Sequence, residues 1–281
     1  MPTFTTPTPI DLAIKWQVGA IEIVAGERTD TVVTVTPTNP EKAADLRGAE
    51  DTRVEFDGER LTIVGSKPRL AIVGPKESVD LKVELPGGSR LTAEIAMGRI
   101  RTVGTLGATR IKDGMGAVEL DTVGDLWLRA SHGNATIGTI EGNAEITADH
   151  GQIRIGDAGG DASLKASHGS IQIERSSGDV GAYLAYGDLR ITDARASVTG
   201  KTAYGSIELV EVSAGSIDVE TAFGQIALGV RDGVPAWLDL SSKSGHVRNR
   251  LDTDRAPDGS EQSVAVRART NFGDITVERT A

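Results

Sequence analysis

The chain has 281 residues, 38% of them hydrophobic and only 4% aromatic, with 40 acidic against 30 basic side chains and no cysteine. Without cysteine there is no disulfide framework, no thiolate metal site and no Cys nucleophile. A net charge of -10 with no clustered Lys or Arg argues against nucleic acid and against acidic membrane surfaces as partners. The 34 glycines beside 10 prolines, with no Gly-X-Y period, exclude collagen and point to many turns around a thin core of Ile, Val, Leu and Ala.

The opening segment MPTFTTPTPIDLAIKW carries neither a basic n-region nor a continuous apolar run. It predicts no Sec signal, no membrane insertion and a cytoplasmic chain. IDLAIKW, AIEIVAG and TVVTVTP then read as strands, and NPEKAADLRGAE as a short helix with Asn39 as N-cap and Pro40 at the first position. VEFDGERLTIVG reads as a hairpin around Asp57-Gly58, and SVDLKVELPGG as a strand ending at Pro86. Residues 1–90 are therefore expected to form a strand-rich cap with one short helix over the open end of a repeat region, because an uncovered end would expose unpaired backbone groups.

From residue 91 to 281 a different pattern takes over. Glycines that precede G-x-[IVL]-x-[IVL] runs stand at Gly98, Gly116, Gly133, Gly151, Gly169, Gly187, Gly205 and Gly224, spaced by 18, 17, 18, 18, 18, 18 and 19 residues. A second glycine series at Gly107, Gly124, Gly142, Gly160, Gly178 and Gly215, with Ala196 replacing it once, divides each repeat into two halves of nine residues. In GSIQIERSS, Ile171 and Ile173 alternate with polar neighbours; in GDASLKASH, Ala162, Leu164 and Ala166 do the same. Both halves are half-buried strands that bury their faces only by stacking on the coils above and below. The fold class expected is all-β: a two-sided β-solenoid of 18-residue coils, about ten of them. The anchor recurs at Gly245 and Gly273, and DTDRAPDGSEQ, at about 252–262, is expected to be a loop insertion between them.

The string of G-[DSQ]-[IVL]-x-[IL] strands, with NPEKAADLRGAEDTRVEF and RARTNFGDITVER, resembles a bacterial family of β-strand-repeat proteins that carry an adhesin label, in particular its actinobacterial forms. The resemblance implies a fold of repeats and a surface role. It brings no catalytic motif and no site residues.

Candidate chemistry is confined to columns of equivalent residues. The position before each anchor glycine runs Met97, Met115, His132, His150, His168, Tyr186, Tyr204 and Phe223, a ladder with rungs about 4.8 Å apart. His132, His150 and His168 are the candidate metal ligands, but a straight column does not make a tetrahedron, and edge stacking of flat side chains accounts for the pattern without metal or cofactor. Ser131, Asp149 and Ser167 precede these histidines; neighbours in one strand point apart, so corner hydrogen bonding is expected rather than a triad. The column Asp125, Asn143, Asp161 and Asp179 lacks the paired glycines of a calcium roll and reads as turn-forming. Trp127 and Trp237 are too far apart in sequence for a sugar platform and are expected to fill packing gaps. No P-loop, dinucleotide fingerprint or HExxH string is present. The expected role is a non-catalytic scaffold or binding protein whose rigid repeating surface takes a protein or glycan partner, or a further copy of itself. The alternative is carbohydrate processing through surface carboxylates.

Overall fold

The computed structural model describes residues 1–66, 77–251 and 263–280, so the expected insertion at 252–262 lies outside the described residues. The described chain is almost entirely β-strand with one helix, and the strands stack in parallel as a solenoid. It divides into two compact units, residues 1–139 and 140–281.

In the first unit three long strands, Asp11–Gly26, Arg90–Val103 and Thr109–Val123, lie parallel and in register, with Gly19 opposite Gly98 and Gly98 opposite Gly116. Each turns the solenoid corner at its glycine, where φ is +132, +148 and +158°. Strand Asp11–Gly26 is thus already a rung, within the region expected to be cap. Gly19 stands outside the regular glycine series because 79 residues separate it from Gly98. The free side of this rung is covered by Arg60–Val64, with Leu12 opposite Leu61, and by Val79–Pro86, with Ile21 opposite Leu81. Antiparallel strands Arg53–Phe56, Asp30–Pro37 and Thr3–Thr5 complete the cover. The Asp57-Gly58 hairpin forms as expected.

The helix runs Ala43–Glu50 with Lys42 at its N-cap and no side-chain cap, not from Asn39. Asn39 is engaged one turn earlier: its Oδ1 accepts the Glu41 N–H at 2.9 Å and its carbonyl accepts the Lys42 N–H at 3.1 Å. The residue that ties the helix down is Asp45, 2% exposed, which accepts N–H bonds from Asn39 and Ser78 at 3.2 and 3.0 Å and lies 3.0 Å from the Lys42 ammonium.

In the second unit the strands alternate between two faces. One face carries Ala144–His150, Ala162–His168, Val180–Tyr186, Val198–Tyr204 and Gly215–Phe223 in parallel register; the other carries Ile153–Ala158, Ile171–Ser176, Leu189–Ala194, Ile207–Val212 and Ile226–Arg231. Inward residues such as Ile171, Leu189, Val198 and Ile207 are fully buried. The corners require glycine: at Gly187, φ is +137° and a Cβ would collide with the carbonyl oxygen of Gly169 on the rung below.

The solenoid does not continue in chain order to the C-terminus. The last rung, Val264–Phe272 with Ile275–Thr280, is inserted next to Gly215–Phe223 and Ile226–Arg231, and the earlier segment Ala236–Ser244 with Val247–Asn249 stacks outside it. Trp237 lies on that outer rung and is 62% exposed, so it fills no gap. Trp127 lies flat under Arg110, whose guanidinium carbon is 3.7 Å from the ring centroid.

Candidate binding surface

The parallel register of the second unit turns the ladder expected from the sequence into a ring stack. His150, His168, Tyr186, Tyr204, Phe223 and Phe272 follow one another with centroids 4.8 to 5.0 Å apart and interplanar angles of 3 to 8°. The spacing is the strand spacing itself, so backbone pairing sets the ring distance and the rings need no adjustment to stack. Phe272 belongs to the column only because the last rung is inserted in the stack; its place before Gly273 was the signal available in the sequence. From Tyr186 to Phe272 the rings are 45 to 53% exposed, and since neighbours cover the flat faces, what they present outward is edges and phenol hydroxyls.

Beside the column runs a trough made by the small residues that precede it, Ser167, Ala185, Ala203 and Ala222, and beyond the trough a ridge in register: Thr147, Lys165, Tyr183, Lys201, Glu220 and Arg269. The trough and the ridge from Thr147 to Glu220 line an open groove of about 660 Å³. Within the ridge Lys201 and Glu220 approach to 3.6 Å.

The structure places His150 and His168 in direct stacking, 4.8 Å apart and 4° from parallel, and His132 in the first unit opposite Met115. Zn–N bonds of about 2.0–2.1 Å put two ligand nitrogens at most about 4.2 Å apart. Parallel rings at the observed separation hold equivalent nitrogens further apart than that. Among the described residues no group of three or more His, Asp or Glu is arranged to hold a metal.

The second column is occupied by the backbone. Asn143, Asp161 and Asp179 each accept, through Oδ1, the N–H of the turn residue one rung on, namely Asp161, Asp179 and Ser197, all at 3.0 Å. These side chains satisfy turn donors that have no strand partner, which is what short Asx side chains do at corners.

Sequence reasoning missed one inward position. Three residues before each corner glycine it carries hydroxyls that bond the corner carbonyl of the neighbouring rung: Thr202 to Gly187, Thr221 to Gly205 and Thr270 to Gly224, at 3.1, 2.8 and 3.1 Å. In the first unit the same position holds Asp113, 1% exposed, with neither oxygen hydrogen-bonded. Burial pushes its carboxyl up to about 6.

The repeat, the corner glycines and the capped first rung match one family profile across residues 11–278, that of Toastrack DUF4097. The chain belongs to the Toastrack DUF4097 family. Among solved structures, this Toastrack chain is similar to a protein of Clostridium sporogenes provisionally described as a cell adhesion protein, at 11% identity and a TM-score of 0.19, over 99% of this chain and 98% of that one. A likeness at that score carries no functional argument. No curated protein matches the chain. Among the described residues no helix is long and apolar enough to cross a membrane.

Proposed function

We propose that this Toastrack chain is a non-catalytic binding or scaffold protein, adhesin-like in using a rigid face of repeated side chains to hold a partner. The observation that carries this reading is the exposed ring column flanked by its trough and ridge. Half-exposed aromatic edges at a fixed spacing form a contiguous amphipathic surface, the kind that marks an interaction site. A protein surface suits it better than a sugar. Sugars stack on ring faces, and within this column the faces are already covered by neighbouring rings. Catalysis is not needed to explain any feature of the site: the carboxyl with the raised proton affinity, Asp113, is sealed in the core at 1% exposure, out of reach of a polymer.

The test is affinity capture by the tagged full chain from lysate of its source organism, quantified by mass spectrometry, against an Ala203→Trp variant that fills the trough. The expected result is one bound species, a different protein or untagged copies of the chain, that is retained by the wild type and lost by the variant while circular dichroism and thermal midpoint stay the same. Equal capture by both proteins would overturn the reading. So would turnover of a polysaccharide by the purified chain that disappears on replacing surface carboxylates.

A further inference from the structure

We infer that the partner of this face is a second copy of the chain, packed face to face after a half-turn about an axis parallel to the strands. The inference rests on the binding reading above and supplies its occupant. Such a half-turn keeps each row of residues over the same row of the other copy and reverses the order of the rungs. Both copies then share one repeat distance, so contacts made at one rung stay in register across all six, which a partner of any other period does not achieve.

The charges of the two copies match in this arrangement. Two outward rows cross the face in register: Thr147, Lys165, Tyr183, Lys201, Glu220 and Arg269, and beside it Glu145, Ser163, Gly181, Thr199, Asp218 and Arg267. With the two-fold axis between the Tyr183 and Lys201 rungs, Lys165 meets Glu220 of the second copy and Glu145 meets Arg267. Tyr183 offers its ring to Lys201, a cation–π pair, and Ala185 faces Ala203. In the column, Tyr186 meets Tyr204 hydroxyl to hydroxyl. Each pair occurs twice by symmetry, and no like charges oppose one another in either row.

A shift of half a rung destroys the match. With the axis on the Tyr183 rung, Lys165 opposes Lys201 and Glu145 opposes Asp218; on the Lys201 rung, Lys201 opposes itself and Lys165 opposes Arg269. Like-charge juxtaposition is how interfaces reject wrong registers. The face is also locally balanced, with basic Lys165, Lys201, Arg267 and Arg269 against acidic Glu145, Asp218, Glu220 and Asp149, so the chain's net negative charge is not concentrated where the copies meet. Six rungs about 4.8 Å apart, crossed by about six residues of strand, give a footprint of about 500 Å² per copy, at the small end of specific interfaces. A footprint that small makes the dimer weak and concentration-dependent.

Sedimentation velocity of the full chain over a concentration series tests this. The wild type is expected to dimerise reversibly. Lys165→Glu and Glu220→Lys, each striking two symmetric pairs, should each weaken the dimer at least about tenfold, and the double exchange Lys165→Glu/Glu220→Lys should bring it back to within about threefold of wild type. Glu145→Arg and Arg267→Glu, single and combined, give an independent second cycle should the first perturb folding. A wild type that remains monomeric at millimolar concentration, or single exchanges that leave the dimer intact, would overturn the inference. If the chain is monomeric while Ala203→Trp still abolishes capture of a different protein, the inference fails and the binding reading stands; if both are negative, both fail.

Discussion

Replacing Asp113 by threonine should stabilise the first unit, and by an amount that depends on pH in a defined way. Asp113 is buried at an inward position, opposite Ile95 and Ala130 on the neighbouring rungs, with both oxygens unpartnered. Burial moves its pKa from 3.8 to about 6. Below the unfolded value the carboxyl is protonated in both states and has no electrostatic effect on stability. Between the unfolded and the folded value the unfolded chain ionises while the folded chain keeps its proton, so stability falls as pH rises. Above the folded value the loss levels off at about 3 kcal/mol, from about two pH units at 1.36 kcal/mol each.

Threonine removes that loss and occupies the same repeat position at Thr202, Thr221 and Thr270, where its hydroxyl bonds the corner carbonyl. In the first unit the corresponding acceptor is the Gly98 carbonyl, worth about 1 kcal/mol more. The gain of Asp113→Thr over wild type is therefore expected to be about 1 kcal/mol at pH 3.5 and about 4 kcal/mol at pH 7.5. Urea unfolding followed by the fluorescence of Trp16, which is 2% exposed in the same unit, measures it, in a Trp237→Phe background to remove the exposed emitter. Working with the difference between variant and wild type cancels every other titrating group. A difference that stays flat between pH 3.5 and 7.5 would refute the assignment of an unpaired carboxyl in the core.

Gly187→Ala should cost about 3 kcal/mol or more in urea unfolding of the second unit, because the new Cβ meets the Gly169 carbonyl at a positive φ and backbone cannot yield as a side chain does. Tyr204→Ala removes two ring contacts, to Tyr186 and Phe223, each at 5.0 Å; at half exposure the expected loss is about 1–2 kcal/mol, read from the same urea transition. Asp45→Ala leaves the Asn39 and Ser78 N–H groups and the Lys42 ammonium without their acceptor, and should destabilise the first unit by about 2–3 kcal/mol. Burial pushes the Asp45 carboxyl up, but the Lys42 ammonium and the two backbone donors outweigh it and hold the group below the ordinary range. Its contribution is present above the unfolded pKa and disappears as pH falls through the folded one, so wild type and Asp45→Ala should converge in stability in acid.

What could be read from the sequence was whatever the stacking geometry forces on a single residue type. A corner that needs both positive φ and close backbone approach admits only glycine, and so the period was visible. The Asp57-Gly58 turn was visible for a similar reason, Gly58 having φ +107°. The ring column followed from counting back one residue from each corner. Features that depend on a second residue elsewhere were not visible. Asn39 has the chemistry of a helix cap, but the helix starts at Ala43 because Asp45 is drawn inward by the Ser78 N–H, 33 residues away. Gly19 was hidden by the cap that intervenes before the next rung. The trough and its ridge exist only once Ala203 is seen beside Tyr204 and across from Lys201, and no linear pattern states that.

The order of the last two rungs was also beyond the period, which says which segments are coils and not which coil lies outermost. The inward residues decide it. Val264, Val266, Ala268, Ile275 and Val277 are all at most 1% exposed in the inserted rung, whereas the outer rung places Ser242 opposite Thr270 and Asn249 opposite Val277. Exchanging the two would leave a β-branched stripe open at the end of the stack and bury Asn249 among Ile and Val, where an unbonded amide costs about 1–3 kcal/mol. The observed order instead leaves Asn249 exposed and surrounds the end with Lys243, Arg248 and Arg250, charges that discourage another strand from adding to the edge. The end of this stack is thus built to stop growth, while the flat face with the ring column carries no comparable run of one sign.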